Sequence, residues 1–406
     1  MPTRILCISN GHGEDAHTSH IIRALRDLEP RCELAAVPIV GDGLAYRRAG
    51  VPVVSPTRTL PSGGFAYMHP RMWIEDVRAG LVGLIWRQFR TVRREASRFD
   101  VVLATGDQIS QGMAWASGRP FVSFISSLSA MYEGTLGLNA ILRRAFASPR
   151  CQAVFTRDRA TAVDLVGQGI AKARFGGIPS LDFLAPSGRP LPLGEGTPVI
   201  CLLPGSRMPE AHRNLRLLLD AVERIARAAG PDAVQFVAAL VPSLIAELPA
   251  VVAGSAWTLD GDWLVAAHET EAGPAVLCRS DAYADLLHAS TVVLGMAGLA
   301  VDEAVALGKA VILIPGRGPQ HTYRFAESQS RLLGVSATLI GRGGPATGDD
   351  LDAAAREAVA LLRDPARLSD LARAGRERLG GRGASRRIAE AVLAAARETT
   401  ADSTGR

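Results

Sequence analysis

Val292 to Gln329, VVLGMAGLAVDEAVALGKAVILIPGRGPQHTYRFAESQ, is the stretch whose reading decides the fold. It begins with a short apolar run, Thr291 to Leu294, too short for a helix and suited to a buried strand. Gly295 and Gly298 follow, then a helical pattern from Leu299 to Leu307 that Gly308 can stop. Ala310 to Ile314 is a second buried strand, closed by Pro315 and Gly316. One strand–helix–strand unit of this kind predicts an α/β fold with a parallel sheet and helices on both faces.

The turn of this unit carries chemistry. Gly298, without a Cβ, lets a ligand approach the backbone at the first turn of a helix. Free N–H groups and the positive dipole end there suit a phosphate, an effect of about 0.3–1 kcal/mol at an exposed site. Glu303 lies five residues on, placed to meet a sugar hydroxyl while the turn holds phosphates. The structural alternative is that Glu303 complements the helix dipole and the glycines only turn the chain.

At 406 residues the chain is too long for one ordinary domain, and a hydrophobic share of 48% can bury two cores. The net charge of +5 rests almost wholly on arginine, since only Lys172 and Lys309 are lysines. That bias does not by itself call for an anionic partner, and no nucleic acid is expected. The five cysteines, Cys7, Cys32, Cys151, Cys201 and Cys278, show no metal-type spacing and read as reduced core residues. With a strand read from Thr3, no signal peptide is expected ahead of it, and the run from Ala79 to Trp86 is far short of a membrane span. These features predict a cytoplasmic protein with no resident cofactor.

In the N-terminal half, Thr3 to Ser9 reads as a strand, Asn10 to Asp15 as a glycine-punctuated loop, and Thr18 to Leu28 as a helix. Ligands of open α/β sheets sit at the carboxyl ends of strands, which makes this loop a candidate site. His12 is placed to act as general base, because imidazole titrates near neutral pH, with Glu14 as an alternative. Glu14 and Asp15 would otherwise only favour the helix start. Asp107 follows the strand Asp100 to Thr105, so it is either a third base candidate at the same edge or a helix cap. Met72 to Arg98 reads as helical, with Arg87, Arg90, Arg94 and Arg98 on one face beside Trp86 and Phe89. A basic, Trp-bearing face suits an anionic membrane surface, although solvated arginines on an ordinary helix are commoner.

Residues 185–198, rich in proline and glycine, read as a linker between a domain spanning 1–184 and one spanning 199–379. Val199 to Leu203 is a fresh strand ending in Pro204-Gly205-Ser206-Arg207, with Pro209 at a first helical position and Glu210 beyond it. Arginine offers a planar donor fork, so this turn is a candidate diphosphate cradle. Asp260-Gly261-Asp262 matches a metal-holding D-x-D pattern, but Asp-Gly between two apolar runs reads as a hairpin turn, and no metal site is expected. Gln320 lies in a strand-end loop, where it can read a base or sugar hydroxyl. A closing helix over 380–398, packed back on the first domain, and a disordered tail over 399–406 complete the chain.

Leu202 to Arg207 with Glu210, Gly298 with Glu303 and Ala304, Gly176 to Asp182, and the late Gly383-Ala384 resemble lipid-A-disaccharide synthase. With the Asn10 to Asp15 opening, the chain is most similar to lipid-A-disaccharide synthase-related proteins. The resemblance spans most of the chain, tightly in the C-terminal half and loosely over the first 150 residues. It implies a GT-B glycosyltransferase: two Rossmann-like parallel-sheet domains facing across a cleft. It further implies metal-independent transfer from a UDP-sugar to a lipid-linked or glycolipid acceptor. The basic face from Arg87 to Arg98 adds the expectation of peripheral contact at the inner face of the membrane. Gly205, Ser206, Arg207, Glu210, Ala297, Gly298, Leu299, Glu303 and Gln320 would then bind the donor. Arg207, Ser206 and the backbone at Gly298 would hold the diphosphate, and Glu303 the ribose.

The chain departs from the synthase at Ala297 and Leu299, where the family carries hydroxyl residues, so phosphate contacts there must come from backbone. Only Gly13 and Glu14 keep the synthase's opening motif. Pro315 to Gln329 looks more like the peptidoglycan N-acetylglucosaminyltransferase. His12→Ala is the substitution expected to keep UDP binding and lose turnover, with Glu14 and Asp107 as alternative bases. Two further readings stay open: a UDP-sugar 2-epimerase, for which His212-Arg213 would matter, and a non-catalytic nucleotide-sugar or glycolipid binder.

Overall fold

The short apolar runs of the N-terminal half become one six-stranded parallel sheet in the computed structural model of the chain. The structure describes residues 2–58, 60, 70–230, 232–267, 273–318 and 321–404; of these, the side chains of 12, 70–73 and 399–404 lie outside the description. In chain order the elements are β1 (Arg4–Ser9), α1 (His12–Leu28), β2 (Glu33–Pro38), α2 (Leu44–Arg48), α3 (Pro70–Arg78), α4 (Leu81–Glu95) and β3 (Val101–Thr105). They continue with α5 (Gln108–Ala116), β4 (Phe121–Ile125), α6 (Ala140–Ala147), β5 (Cys151–Thr156), α7 (Arg159–Gly167) and β6 (Ala173–Phe175).

The strand order is β2-β1-β3-β4-β5-β6. Both faces are covered, as a parallel sheet requires. In β1, Ile5 and Cys7 point to one core while Leu6 and Ile8 point to the other. Ser9 pairs with Thr105, Thr105 with Phe124, and Ile125 with Thr156, so the loops after β1, β3, β4 and β5 leave from one edge. The segment Met72 to Arg98, read as helical, is formed by two helices. Gly80, at φ 93°, separates α3 from α4, and Arg98 sits in a 3₁₀ turn beyond α4.

The second sheet has eight strands in the order β14-β13-β12-β7-β8-β11-β10-β9. Its elements are β7 (Val199–Leu203), α8 (Glu210–Ala229), β8 (Gln235–Ala239), α9 (Pro242–Ala246), α10 (Leu248–Val252), β9 (Trp257–Asp260), β10 (Trp263–Ala266) and β11 (Ala275–Arg279). They are followed by α11 (Tyr283–Ala289), β12 (Val292–Gly295), α12 (Leu299–Ala306), β13 (Ala310–Leu313), α13 (Tyr323–Leu333), β14 (Ala337–Leu339), α14 (Gly348–Leu362) and α15 (Pro365–Leu379). All neighbours are parallel except the β9–β10 hairpin and its pairing with β11. Asp260-Gly261-Asp262 forms the turn of that hairpin, with Gly261 at φ 57°, and Asp262 pairs with Arg279 at 3.3 Å.

A last helix, α16 (Ala384–Thr404), follows. By its contacts the chain divides into one unit of Met1–Phe183 with Gly380–Arg406 and another of Leu184–Leu379. Helix α16 buries Ile388, Ala389 and Val392 in the same core as Ile5, Val101 and Phe124. Its start is capped from a distance: the Asp182 carboxylate accepts the Gly383 N–H and, at 2.7 Å, the Ser385 N–H. Ser385 Oγ donates to Pro179 O at 2.9 Å and Arg387 Nη2 to Gly176 O at 2.8 Å. The Gly176–Asp182 and Gly383-Ala384 motifs thus form a structural clasp. The tail expected to be disordered from residue 399 instead continues α16 to Thr404, because the helical pattern runs on without a breaker; residues 405 and 406 lie outside the description.

Candidate functional site

The Leu184–Leu379 unit brings two strand-end turns together. Strands β7 and β12 are neighbours, Leu203 pairs with Gly295, and the Met296 N–H donates to Leu203 O at 2.8 Å. Gly205 sits at φ 94°, and a Cβ added there would lie 3.2 Å from Met296 O, so the two turns pack backbone against backbone. Asn214, buried on α8, donates Nδ2 to Pro204 O at 2.9 Å and holds the first turn in place. Ser206 is exposed and Arg207 half-buried. Pro209, expected at the first helical position, is the residue before α8, which starts at Glu210. Glu210 is buried against the loop after β13: a Cβ on Gly318, at φ 141°, would lie 2.2 Å from Glu210 Oε1.

In the second turn, Gly295 is required by packing, because an added Cβ would meet Val301 Cγ2 at 2.5 Å. Gly298 is different. Its φ is −76°, and among the described residues an added Cβ would meet only Phe325 Cζ, at 3.6 Å, so these residues do not demand glycine there. What the absent side chain leaves is open surface at the first turn of α12, flanked by half-exposed Ala297, Leu299 and Ala300. The first N–H groups of any helix lack intrahelical acceptors, which makes this turn a ready anion cradle.

Side chains from outside α12 help to fix the arrangement. Gln329, buried on α13, donates Nε2 to Gly298 O at 2.7 Å and to Asp302 Oδ1 at 3.0 Å. Glu303 is 4% exposed in the second turn of α12 and accepts a hydrogen bond from the Tyr283 hydroxyl. Neither Gln329 nor Tyr283 was singled out in the sequence, where no local pattern marks a residue that acts on a helix from outside. His321 is buried, its pKa lowered to about 4 by that burial, and its carbonyl accepts the Gly316 N–H at 2.8 Å. Gln320 lies outside the described residues.

In the N-terminal unit, α1 begins at His12 rather than at Thr18. Gly11, at φ 107°, turns the chain straight into the helix, so most of the expected Asn10 to Asp15 loop is helical. The His12 side chain lies outside the description. Glu14 lies between two strand-end loops. Its Oε2 and Cγ stand 3.0 Å from where Cβ atoms on Gly11 and Gly106 would be. Burial pushes its pKa up to about 7, and the neighbouring Asp107 and Asp15 carboxylates add to the rise.

Asp107 caps α5 by accepting the Ile109 N–H at 2.9 Å, and its other oxygen accepts Asn10 Nδ2 at 2.8 Å. Burial raises its pKa as well. Asp15, read as a dipole partner of the helix, is instead buried and accepts Ser9 Oγ at 2.5 Å; burial raises its pKa to about 7. Carboxyl groups held near neutrality at strand ends are suited to accept or donate a proton.

No protein-family model matches the chain, and no curated protein matches it. Solved structures do. MurG of Acinetobacter baumannii matches with a TM-score of 0.59 at 13% identity, covering 97% of this chain and 100% of that one. The calicheamicin glycosyltransferase CalG4 matches with a TM-score of 0.56 at 15% identity, covering 97% of this chain and 98% of that one. The UDP-GlcNAc 2-epimerase of Neisseria meningitidis, bound to UDP-GlcNAc, matches with a TM-score of 0.55 at 13% identity, covering 97% and 100%. With two Rossmann-like sheets matched over nearly the full length of these proteins, the chain has the two-domain α/β GT-B fold.

Proposed function

We propose that the protein is a metal-independent glycosyltransferase that moves a sugar from a UDP-sugar to a lipid-linked or glycolipid acceptor. The observation that carries this reading is the paired turn at β7 and β12. A guanidinium at Arg207 and a hydroxyl at Ser206 share one strand edge with the open first turn of α12 and with Glu303. This is the donor set that a leaving diphosphate and its ribose call for. The resemblance to lipid-A-disaccharide synthase supports the same residues and the class of acceptor. In this reading Glu14, on the N-terminal unit, is the base for an acceptor hydroxyl; transfer forms the bond from that oxygen to the anomeric carbon and breaks the bond to the diphosphate. Arg207 and the backbone of the α12 turn take up the charge left on UDP.

Titration calorimetry tests the donor site. Arg207→Ala should lower UDP affinity at least several-fold, since a hydrogen bond to a charged group contributes about 1.5–3 kcal/mol. Unchanged affinity would remove Arg207 from the site.

A second reading is a UDP-sugar 2-epimerase. It is supported by the pair His212-Arg213 in the first turn of α8, directly beyond the Arg207 turn. Incubation with UDP-sugars and no acceptor separates the two, because epimerisation needs none.

The acceptor class implies a membrane surface. Among the described residues no helix is long and apolar enough to cross a membrane. On α4, however, Val82 is 63% and Trp86 59% exposed, beside exposed Arg87, Arg90, Arg93 and Arg94. Trp86 is stacked on Phe89 with ring centroids 5.8 Å apart. Arg94 and Arg98 both pair with Glu95, at 2.9 and 2.8 Å, which leaves Arg87, Arg90 and Arg93 as the stronger basic group. In this reading the face docks on anionic lipid, with Trp86 entering the headgroup layer. Vesicle flotation should then weaken as salt rises, because exposed charges are screened over about 8–10 Å at physiological ionic strength. A variant with these arginines changed to glutamine that floats equally well would exclude the contact.

A further inference from the structure

Glu303 is reached from outside its own strand–helix–strand unit by a side chain of α11. Tyr283, the first residue of α11, donates its hydroxyl to Glu303 Oε2. Both helices that carry the pair are pinned. Asp285 of α11 accepts the Ser187 N–H at 2.6 Å and the Ser187 hydroxyl at 3.0 Å, and the His288 ring meets Leu184 O at 2.8 Å. Lys309 Nζ donates to His288 O at 2.8 Å and to Ser290 O at 2.6 Å, closing the far end of α11. Gln329 holds the start of α12, as described above. A hydroxyl–carboxylate bond therefore joins two fixed helices.

The bond is informative because of where Glu303 stands. Side chains on a helix lean toward its N-terminus, so a carboxylate in the second turn of α12 lies over the first turn, where the diphosphate is placed. A carboxylate has about four acceptor positions, and a phenol hydroxyl fills one. The position filled decides the rotamer and the direction of the others. A glutamate with several free torsions would otherwise lose side-chain entropy on meeting a ligand, and a partner that fixes it beforehand removes that cost.

We propose that Tyr283 is a positioning residue that aims Glu303 at the ribose hydroxyls of the nucleotide, and so sets a preference for ribose over 2′-deoxyribose. This rests on the donor-site reading above. It adds a residue from β11–α11, outside the two glycine turns, to that site. The raised pKa of the Tyr283 hydroxyl, caused by burial and then by the Glu303 charge, keeps it a donor at every physiological pH.

The test is calorimetric titration of the full chain and of Tyr283→Phe with UDP and with 2′-deoxy-UDP. The wild-type chain should bind UDP about tenfold more tightly than 2′-deoxy-UDP, as expected for one hydroxyl bonded to a charged acceptor. Tyr283→Phe should cut that preference to about two- to threefold while leaving 2′-deoxy-UDP affinity within about twofold of wild type. Retained 2′-deoxy-UDP binding shows that the variant is folded and its diphosphate cradle intact. A preference unchanged in Tyr283→Phe overturns the proposal. Loss of both nucleotides by the same factor also overturns it, because Tyr283 would then only support packing. If the wild-type chain binds neither nucleotide, the donor-site reading itself fails, which is a different outcome from either.

Discussion

Glu14→Gln should leave UDP affinity unchanged and lower turnover by about 10²–10⁴-fold, the usual cost of losing a general base. The reason is the setting of the carboxylate. Glu14 lies in the first turn of α1, packed where Cβ atoms on Gly11 and Gly106 would stand, and burial raises its pKa to about 7. A carboxylate at its ordinary pKa is a weak base, and one tuned near neutrality is both ionised and proton-accepting at working pH. The base must be ionised to act, so the rate should rise with pH through about 7 and level off above it. Asp107 adds to the raised pKa of Glu14 by its negative charge. Asp107→Asn should therefore shift that limb to lower pH while retaining much of the rate, whereas Glu14→Gln removes the limb. A pH–rate profile on an identified acceptor measures both. The sequence alone favoured His12 over Glu14, because imidazole needs least tuning; burial supplies the tuning that the sequence could not show. If His12→Ala is inactive and Glu14→Gln turns over normally, the base is His12 and this assignment is wrong.

Deleting residues 380–406 should unfold the N-terminal unit and leave the Leu184–Leu379 unit folded. The deleted segment contributes Ile388, Val392 and Leu393, at 0%, 0% and 5% exposure, to the core beneath β1, β3 and β4. At about 1.5–3 kcal/mol for each large aliphatic side chain, the loss is about 5–9 kcal/mol before any cavity cost. That is of the order of a whole domain's stability, about 5–15 kcal/mol. Scanning calorimetry should show one transition lost and one kept, and limited proteolysis should leave a fragment close to 184–379. A truncated chain whose N-terminal unit melts as in the full protein would contradict the assignment of α16 to that unit. The milder Asp182→Ala removes the acceptor for the Gly383 and Ser385 N–H groups. It should cost about 1–2 kcal/mol, as loss of a helix cap does.

Much of the fold is legible along the chain. Strand β7 spans Val199–Leu203 as its apolar run predicts, and α12 begins at Leu299 as its pattern predicts. Asp-Gly between β9 and β10 makes the expected hairpin. These are local properties. A buried parallel strand is a short apolar run, a turn needs glycine or proline, and both are written within a few residues. The same locality explains the misses. The early start of α1 depends on Gly11 taking a positive φ, and the break between α3 and α4 depends on Gly80 doing so. In each case glycine permits the conformation but does not announce it.

The candidate site was legible in part for the same reason. Arg207, Gly298 and Glu303 stand at strand-to-helix junctions, where open α/β sheets place their ligands, so their positions follow from the element pattern. What the residues do to one another does not. The Tyr283 hydroxyl on Glu303, Gln329 on the Gly298 carbonyl, Asn10 on Asp107 and Asp182 at the start of α16 each join residues from different elements. By itself the sequence determined which residues lie at strand ends, because that depends on neighbours along the chain. Only the tertiary structure decided which carboxylates are buried, paired or held near neutral pKa, because desolvation and hydrogen bonding are set by groups the chain brings close only when it folds.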